Sequence, residues 1–286
     1  MNGTGAARPP IQRNSLREQI ADALREEMMA GRLPAGRNFT VKEVADLYGV
    51  SATPAREAMV DLAAQGLLRT EHNRGFTVPA FTWRDFLEIF EARTLLTDSA
   101  LRRLTAGPSR RFDWSRLPSL RRRADAAARA SRSGQLDVLV GCDLRFWKEA
   151  SGLLGNARIS EYLGWLRVQS WMFAAPFLRP AEDLGGLCWD RHGELVDRIE
   201  ARDLPGAHQT VNDYNLHTLE LLARLSGEDL DSVPVVGLLR APVARPAVAP
   251  VAEDANRVPL PRSVPPGRFG RPVHPVASAG GEAASP

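Results

Sequence analysis

The stretch GVSATPAREAMVDLAAQGLLRTEHNRGFTVP, residues 49–79, leaves this chain few folds to choose from. It reads as a helix with a small, proline-marked start and a glycine stop. Two short β-runs follow, LLRT and FTVP, joined by the polar turn EHNRG. Thr53 is expected to cap the helix, with Pro54 at the first helical position, where a missing N–H is no loss; Ser51 is the alternative cap. Ala55, Ala58, Met59, Leu62 and Ala63 form the apolar face, and Arg56 points elsewhere from the first turn. Upstream, Asn14 or Ser15 is expected to open a helix to about Ala30, with Leu16, Ile20, Ala23, Leu24 and Met28 at helical spacing. GRLPAGR stops it. Thr40 then opens a short second helix, VKEVADLY, with Glu43 placed for a capping box and Gly49 as its stop. Helix, helix-turn-helix and hairpin together make the winged-helix order over residues 14–79.

That order carries a chemistry. A recognition helix presents its first turns to base edges, and its free backbone amides can hold a phosphate. Arg56 is placed to contact guanine, and Arg74 at the wing tip to reach a neighbouring groove or the backbone. The bland alternative is a helix pair used for packing, with Arg56 paired to Asp61 or Glu57. Net charge does not decide between them. The chain is +3 overall, but 14–79 holds 8 Arg and Lys against 9 Asp and Glu, so the basic excess lies in 1–13 and 233–286.

The motif resembles the winged helix of the GntR family of bacterial transcription regulators, on LPAGRNFTVKEVADLYGVSATPAREAMVDLAAQGLL and RGFTV. The resemblance implies that Arg37, Thr53, Arg56, Arg74 and Gly75 contact double-stranded DNA, and Thr40 is placed with them. Family members usually carry Arg between the Ser and Thr of GVS-x-T. Here it is Ala52, so one DNA contact of the usual set is missing.

The remainder divides into a helical region, 80–232, and a Pro/Ala-rich end, 233–286, expected as a disordered tail; residues 1–13 read as a flexible arm. Thr82 with Asp85 is expected to open a helix to about Thr105, followed by helices near 113–133, 136–151, 156–175, 186–202 and 204–226. The fold class is therefore mainly α: a winged helix-turn-helix with a small β-wing, then an all-α bundle. Ten Arg in 102–132 read as a solvated face. Cys142 and Cys188 lie in apolar patterns without CxxC spacing and are expected as small buried residues of a reducing compartment. No apolar run reaches the roughly 18 residues of a membrane span, and MNGTGAARPP lacks a signal-peptide core, so the expected location is cytoplasmic.

Polar residues interrupt the apolar stripes of this region. Arg93, Asp143, Trp147, His192 and Tyr214 each fall inside one, on different helical segments except for Asp143 and Trp147. Buried charge is costly unless met by partners. Arg93 and Asp143 must therefore meet each other, a ligand, a metal or water. Several such residues converging suggest a common cavity; a closed salt-bridge network is the alternative.

EARTLL, DLRFWKEASGLLGN and RHGELVDRIEARDLPGAHQTVNDY resemble the FCD effector domain that defines the FadR subfamily, with Thr97 where the family has Glu. Many members use one Asp and three His to bind a divalent metal that holds a carboxylate effector. By this resemblance Asp143 and His192 remain, but the other two His positions are Trp147 and Tyr214. Indole cannot chelate, and two ligands are too few for a firm site. His217, a turn beyond Tyr214, is a partial substitute at best; His208 and His274 are expected at the surface. No metal or other cofactor is expected. Instead Trp147, Tyr214 and Trp165 or Trp171 would wall an aromatic pocket, with Arg93 anchoring a carboxylate or phosphate. The implied protein is a homodimeric repressor reading an inverted repeat and responding to a small organic effector, a carboxylate or acyl compound. The alternative is a regulator with a packed, ligand-free second domain, controlled by a protein partner or by expression level. An enzyme is not expected, since no nucleophile–base pair, phosphate loop or metal triad is present.

Overall fold

The computed structural model describes residues 16–71, 75–105, 113–181 and 184–243. In the N-terminal head, α1 (Leu16–Met29) packs on α3 (Ala52–Ala64), with α2 (Val41–Tyr48) between them in sequence. The capping box at α2 forms as read. The Thr40 N–H donates to the Glu43 carboxylate at 2.6 Å, and the Glu43 N–H donates to Thr40 Oγ1 at 3.2 Å. Gly49 closes the helix at φ 63°.

Helix α3 takes the alternative start: its N-cap is Ser51, not Thr53. Pro54 is then the third helical residue. It still lies in the first turn, where N–H groups have no helical acceptor, so the sequence signal could not fix the phase. The residues expected to cap α1, Asn14 and Ser15, lie outside the described residues.

The wing is a three-stranded antiparallel sheet in the order β1–β3–β2, from Asn38–Phe39, Gly75–Thr77 and Arg69–Glu71. The two expected runs are shorter than read, because Leu67 and Leu68 turn into the core. Strand β1 was not expected: two residues are too few to show a period. Phe39 pairs with Phe76, and both are buried. Gly75 is fixed by this pairing. Its φ is +94°, and a Cβ there would stand 2.4 Å from the Phe39 carbonyl oxygen.

Helix α4 (Trp83–Thr105) opens with the expected cap, Thr82 Oγ1 accepting from the Asp85 N–H at 3.2 Å. After it come a short 3₁₀ turn (Trp114–Arg116), α5 (Leu117–Ser133), α6 (Leu136–Gly152), α7 (Ala157–Leu178), α8 (His192–Glu200) and α9 (Leu204–Ser226). The helix read over 186–202 begins only at His192. The carbonyls before it are taken by side chains from elsewhere: Ser131 Oγ donates to Cys188 O at 2.8 Å, and His217 Nε2 lies 2.8 Å from Leu187 O. The arginine-rich α5 is less solvated than its composition suggested. Arg121 pairs with Asp197 and Glu200 at 2.7 Å each, and Arg123 with Glu149, tying α5 to α8 and α6.

The helical region also runs past the boundary read at 233. Pro234–Arg240 forms a further helix, α10, packed on α4 and α9 with Val235, Val236 and Leu239 buried. Proline density suggested a tail. Yet Pro234 stands at a helix start, where proline is tolerated, and the apolar VVGLL run follows it directly. Residues 244–286 lie outside the described residues. Both free cysteines are half-buried rather than fully buried. Among the described residues no helix is long and apolar enough to cross a membrane.

Head and helical body share one apolar core. Leu24, Met28, Met59, Leu62 and Phe76 of the head join Phe86, Phe90 and Phe173 of the body, with Phe86 stacked on Phe173 at 4.4 Å. Arg179 Nε also donates to the Ala30 carbonyl at 2.9 Å, and Arg32 pairs with Asp137 at 3.1 Å.

Two outcomes are expected in chemical denaturation. Leu239→Ala should lower stability by about 2–4 kcal/mol, as for other buried leucines, although it lies beyond the composition break. Gly75→Ala should cost about 1–3 kcal/mol through backbone strain and the clash with Phe39.

Candidate functional site

Two surfaces carry the chemistry. On the head, Arg37, Thr53 and Arg56 are exposed. Among the described residues no carboxylate lies within ion-pair distance of Arg37 or Arg56. Asp61, offered as a packing partner for Arg56, instead pairs with Arg17 at 3.1 Å. The Ser51 side chain makes no cap bond to α3, so the first amides of that helix are not answered by a cap. Thr40 is exposed, but its hydroxyl is committed to the capping box. Gly75 opens β3 and pairs with Glu71 at the turn end of the hairpin, and Arg74 lies outside the described residues.

The second site is buried in the body. The Asp143 side chain, on α6, is the hub. Its Oδ1 accepts from Trp147 Nε1 at 3.0 Å and from the Tyr214 hydroxyl at 3.2 Å; its Oδ2 accepts from Trp171 Nε1 at 2.9 Å. Arg167 on α7 stands 3.5 Å from Oδ2, donates to the Tyr214 oxygen at 2.8 Å, and lies over the Trp147 ring at 4.4 Å. His192 Nε2 is 3.6 Å from Asp143 Oδ1, too long for a formed hydrogen bond, and neither ring nitrogen has a partner among the described residues. Burial pushes the Asp143 carboxyl up. The facing His192 ring, Arg167 and Trp171 outweigh it and hold the group down at about 2. Burial, then the Asp143 charge, push the Tyr214 phenol up, so it stays a donor.

Arg167 is not among the residues singled out from the sequence; it lies in the largely apolar second half of α7, and an Arg flanked there by Trp165, Leu166 and Val168 is the available signal. Asp143 meets this cation and not Arg93. The remaining histidines also fall differently from the reading. His217 turns to the Leu187 carbonyl and does not join Asp143. His208 is buried, not at the surface, with Nε2 3.4 Å from Asp98 Oδ1. His274 lies outside the described residues.

A divalent metal does not suit this donor set. Of the side chains that face Asp143 closely, His192 alone is a metal-type donor, and among the described residues no group of three or more His, Cys, Asp or Glu is placed to hold a metal. The other neighbours of Asp143 are two indoles, a protonated phenol and a guanidinium. Arg167 already supplies the positive charge that a metal would bring.

Arg93 on α4 is set apart from the hub. Buried at 3% exposure, it donates to Ser170 Oγ and Asn215 Oδ1, each at 3.1 Å, and lies over the Phe90 ring at 4.4 Å. Its partners are neutral, and among the described residues no carboxylate is within ion-pair distance. Burial, and then repulsion from Arg167, lower its pKa to about 9, so it remains a cation at neutral pH.

Two hollows meet at these arginines. The smaller, about 50 Å³, lies on the hub side with Asp143, Trp171 and Tyr214 in its wall. The larger, about 480 Å³, lies beyond, with Arg93, Arg167, Trp147 and Asn215 in its wall. The expected aromatic pocket is thus divided: Trp171 and Tyr214 close around Asp143, while Trp147 and Trp165 face the larger space.

The Asp143 hub has a pH signature. Its carboxyl lies at about 2 against an ordinary 3.8, so its stabilising effect is complete above about pH 4 and lost as pH falls through about 2. Asp143→Asn should cost about 3–5 kcal/mol at pH 7 by leaving Arg167 uncompensated. In urea titrations run at successive pH values, that gap should narrow between pH 4 and 2.

Comparison with known proteins places these two surfaces. Residues 16–78 match the family described as bacterial regulatory proteins, gntR family, and residues 88–215 match the FCD domain. A probable D-xylose utilization operon transcriptional repressor from Paenarthrobacter nicotinovorans is 28% identical over 220 residues, covering 76% of this chain and 93% of that protein. The HTH-type transcriptional regulator McbR of Escherichia coli K12 is 32% identical over 93 residues, 32% of this chain and 40% of McbR. The solved structure of E. coli McbR/YncC shares the fold at a TM-score of 0.63 and 21% identity, covering 75% of this chain and all of that one. These relatives are transcription regulators, not enzymes. The chain belongs to the GntR family of bacterial regulatory proteins, with an FCD domain behind its winged helix.

Proposed function

We propose that this protein is a cytoplasmic, homodimeric transcriptional repressor whose operator affinity is set by a small organic effector, a carboxylate or acyl compound, in the helical domain. The observation that carries the reading is the cavity of about 480 Å³ walled in part by Arg93, a buried cation without a carboxylate partner. Its size falls in the range of roughly 300–1,000 Å³ typical of small-molecule sites. Control proceeds without a metal, because Asp143 already has Arg167 as its counter-charge. The rival, a packed and ligand-free domain, fits the Asp143 hub but not the larger cavity beside it.

On the DNA side, Arg56 reads a base edge while Arg37, Thr53, Arg74 and the amides opening α3 hold the backbone. A twofold dimer then requires an inverted repeat. An effector acts only through unequal affinity for the DNA-competent and incompetent arrangements.

Selection from random duplexes with the full-length protein should return an inverted repeat, and native mass spectrometry should give a dimer. Arg56→Ala should weaken the selected operator by about 1–3 kcal/mol in fluorescence anisotropy, with its melting temperature unchanged. Recovery of no preferred sequence, or an unchanged affinity in the variant, would sink the assignment of Arg56.

A further inference from the structure

Apart from the cavity proposed for the effector, the body carries a groove of about 350 Å³ between α5 and α6. Its wall is Ser119, Arg122, Arg123 and Ala126 of α5 with Cys142 and Arg145 of α6. The short side chains at 119, 126 and 142 leave the space, and three guanidiniums line it without an acidic residue among them. Arg123 is answered by Glu149. Arg122 and Arg145 are exposed, and among the described residues no carboxylate lies within ion-pair distance of either. Arg145 is also placed rather than trailing into solvent. Its Nη2 stands 3.5 Å from Cys142 Sγ, and its guanidinium lies against Gly141, where a Cβ would stand 3.2 Å from Nη1. Like charges gathered in one groove repel, and an anion between them relieves that repulsion.

We propose that this groove binds a dianionic tetrahedral oxyanion, inorganic phosphate or the phosphoryl group of a phosphomonoester, between Arg122 and Arg145. Two unanswered guanidinium charges match a dianion. Each planar fork takes two oxygens, and the three terminal oxygens of a phosphoryl group let both forks engage at once. A carboxylate brings one charge and two oxygens, enough for one fork only. Ser119 adds a hydroxyl donor at the same wall. Duplex DNA suits the groove less well. Its phosphodiesters carry one charge each, and α5 packs on α6 and α8, whereas the head seats α1 on α7. Arg145 lines both this groove and the larger cavity; of the two, Arg122 lines only the groove. Arg122 is therefore the residue that tests the site.

The probes are inorganic phosphate, glycerol 3-phosphate, acetate and dimethyl phosphate. Each is titrated calorimetrically into the full-length protein in phosphate-free buffer at constant ionic strength. Phosphate and glycerol 3-phosphate should bind saturably, at least about tenfold more tightly than acetate or dimethyl phosphate. Arg122→Gln should weaken both phosphoryl ligands about tenfold or more. Arg129→Gln, at an exposed position of the same helix outside the groove, should leave them unchanged. The order of the two ligands names the source: tighter binding of the ester marks a phosphorylated metabolite, and tighter binding of phosphate marks the free ion. No saturable binding of either, equal binding of dimethyl phosphate, or an affinity untouched by Arg122→Gln would each overturn the site. Binding lost in Arg56→Ala but kept in Arg122→Gln would place the anion on the DNA-binding head and overturn it too. If phosphate does not bind and Arg122→Gln instead weakens non-specific duplex binding, the groove is a DNA contact and the proposal falls.

Discussion

A carboxylate at the centre of a helical bundle has to be met by donors, and how Asp143 is met decides the rest of the body. Two indoles, a phenol and a guanidinium converge on it from α6, α7 and α9, which fixes how those helices face one another. The same arrangement pairs Arg167 with Asp143 and leaves Arg93, a short way off, with no carboxylate at ion-pair distance among the described residues. Had a metal occupied the hub, an organic anion could bind through it. With an internal cation in its place, Arg93 is the buried cation left beside the larger cavity with neutral partners.

The position of that space matters as much as its chemistry. It runs between body and head, and its far wall includes residues of α1 and the end of α3. The head is otherwise seated on the body through a shared aromatic core and the contacts of Arg179 and Arg32. Trp165 and Gln65 meet at that junction, the Trp165 Nε1 donating to the Gln65 carbonyl at 2.5 Å.

Legibility in the sequence followed locality. The capping boxes at Thr40 and Thr82 were readable because each involves residues three apart. The helices α5, α6, α7 and α9 were readable from their apolar period. Strand β1 and the late start of α8 were not: the first depends on pairing with β3, the second on side chains arriving from α5 and α9. Helix α10 was hidden by the composition around it. Among the candidate residues, Arg93, Asp143, Trp147, His192 and Tyr214 stand out as polar groups on apolar stripes, Asp143 and Trp147 sharing one, and all five are buried. Their partners were not legible, since Arg167 carries no motif and its meaning comes only from lying beside Asp143.

The sequence by itself determined the family, the winged helix with Arg56 in the first turns of its second motif helix, and the placing of Trp147 and Tyr214 on apolar stripes. Those are matters of residue identity and short-range spacing. Tertiary structure alone decided which charges are neutralised and which are left over. It paired Asp143 with Arg167, left Arg93 facing a cavity, and set that cavity against the DNA-binding head. The reason is physical: Coulomb and hydrogen-bond partnerships depend on distances of a few ångströms between residues tens of positions apart, which no local pattern encodes.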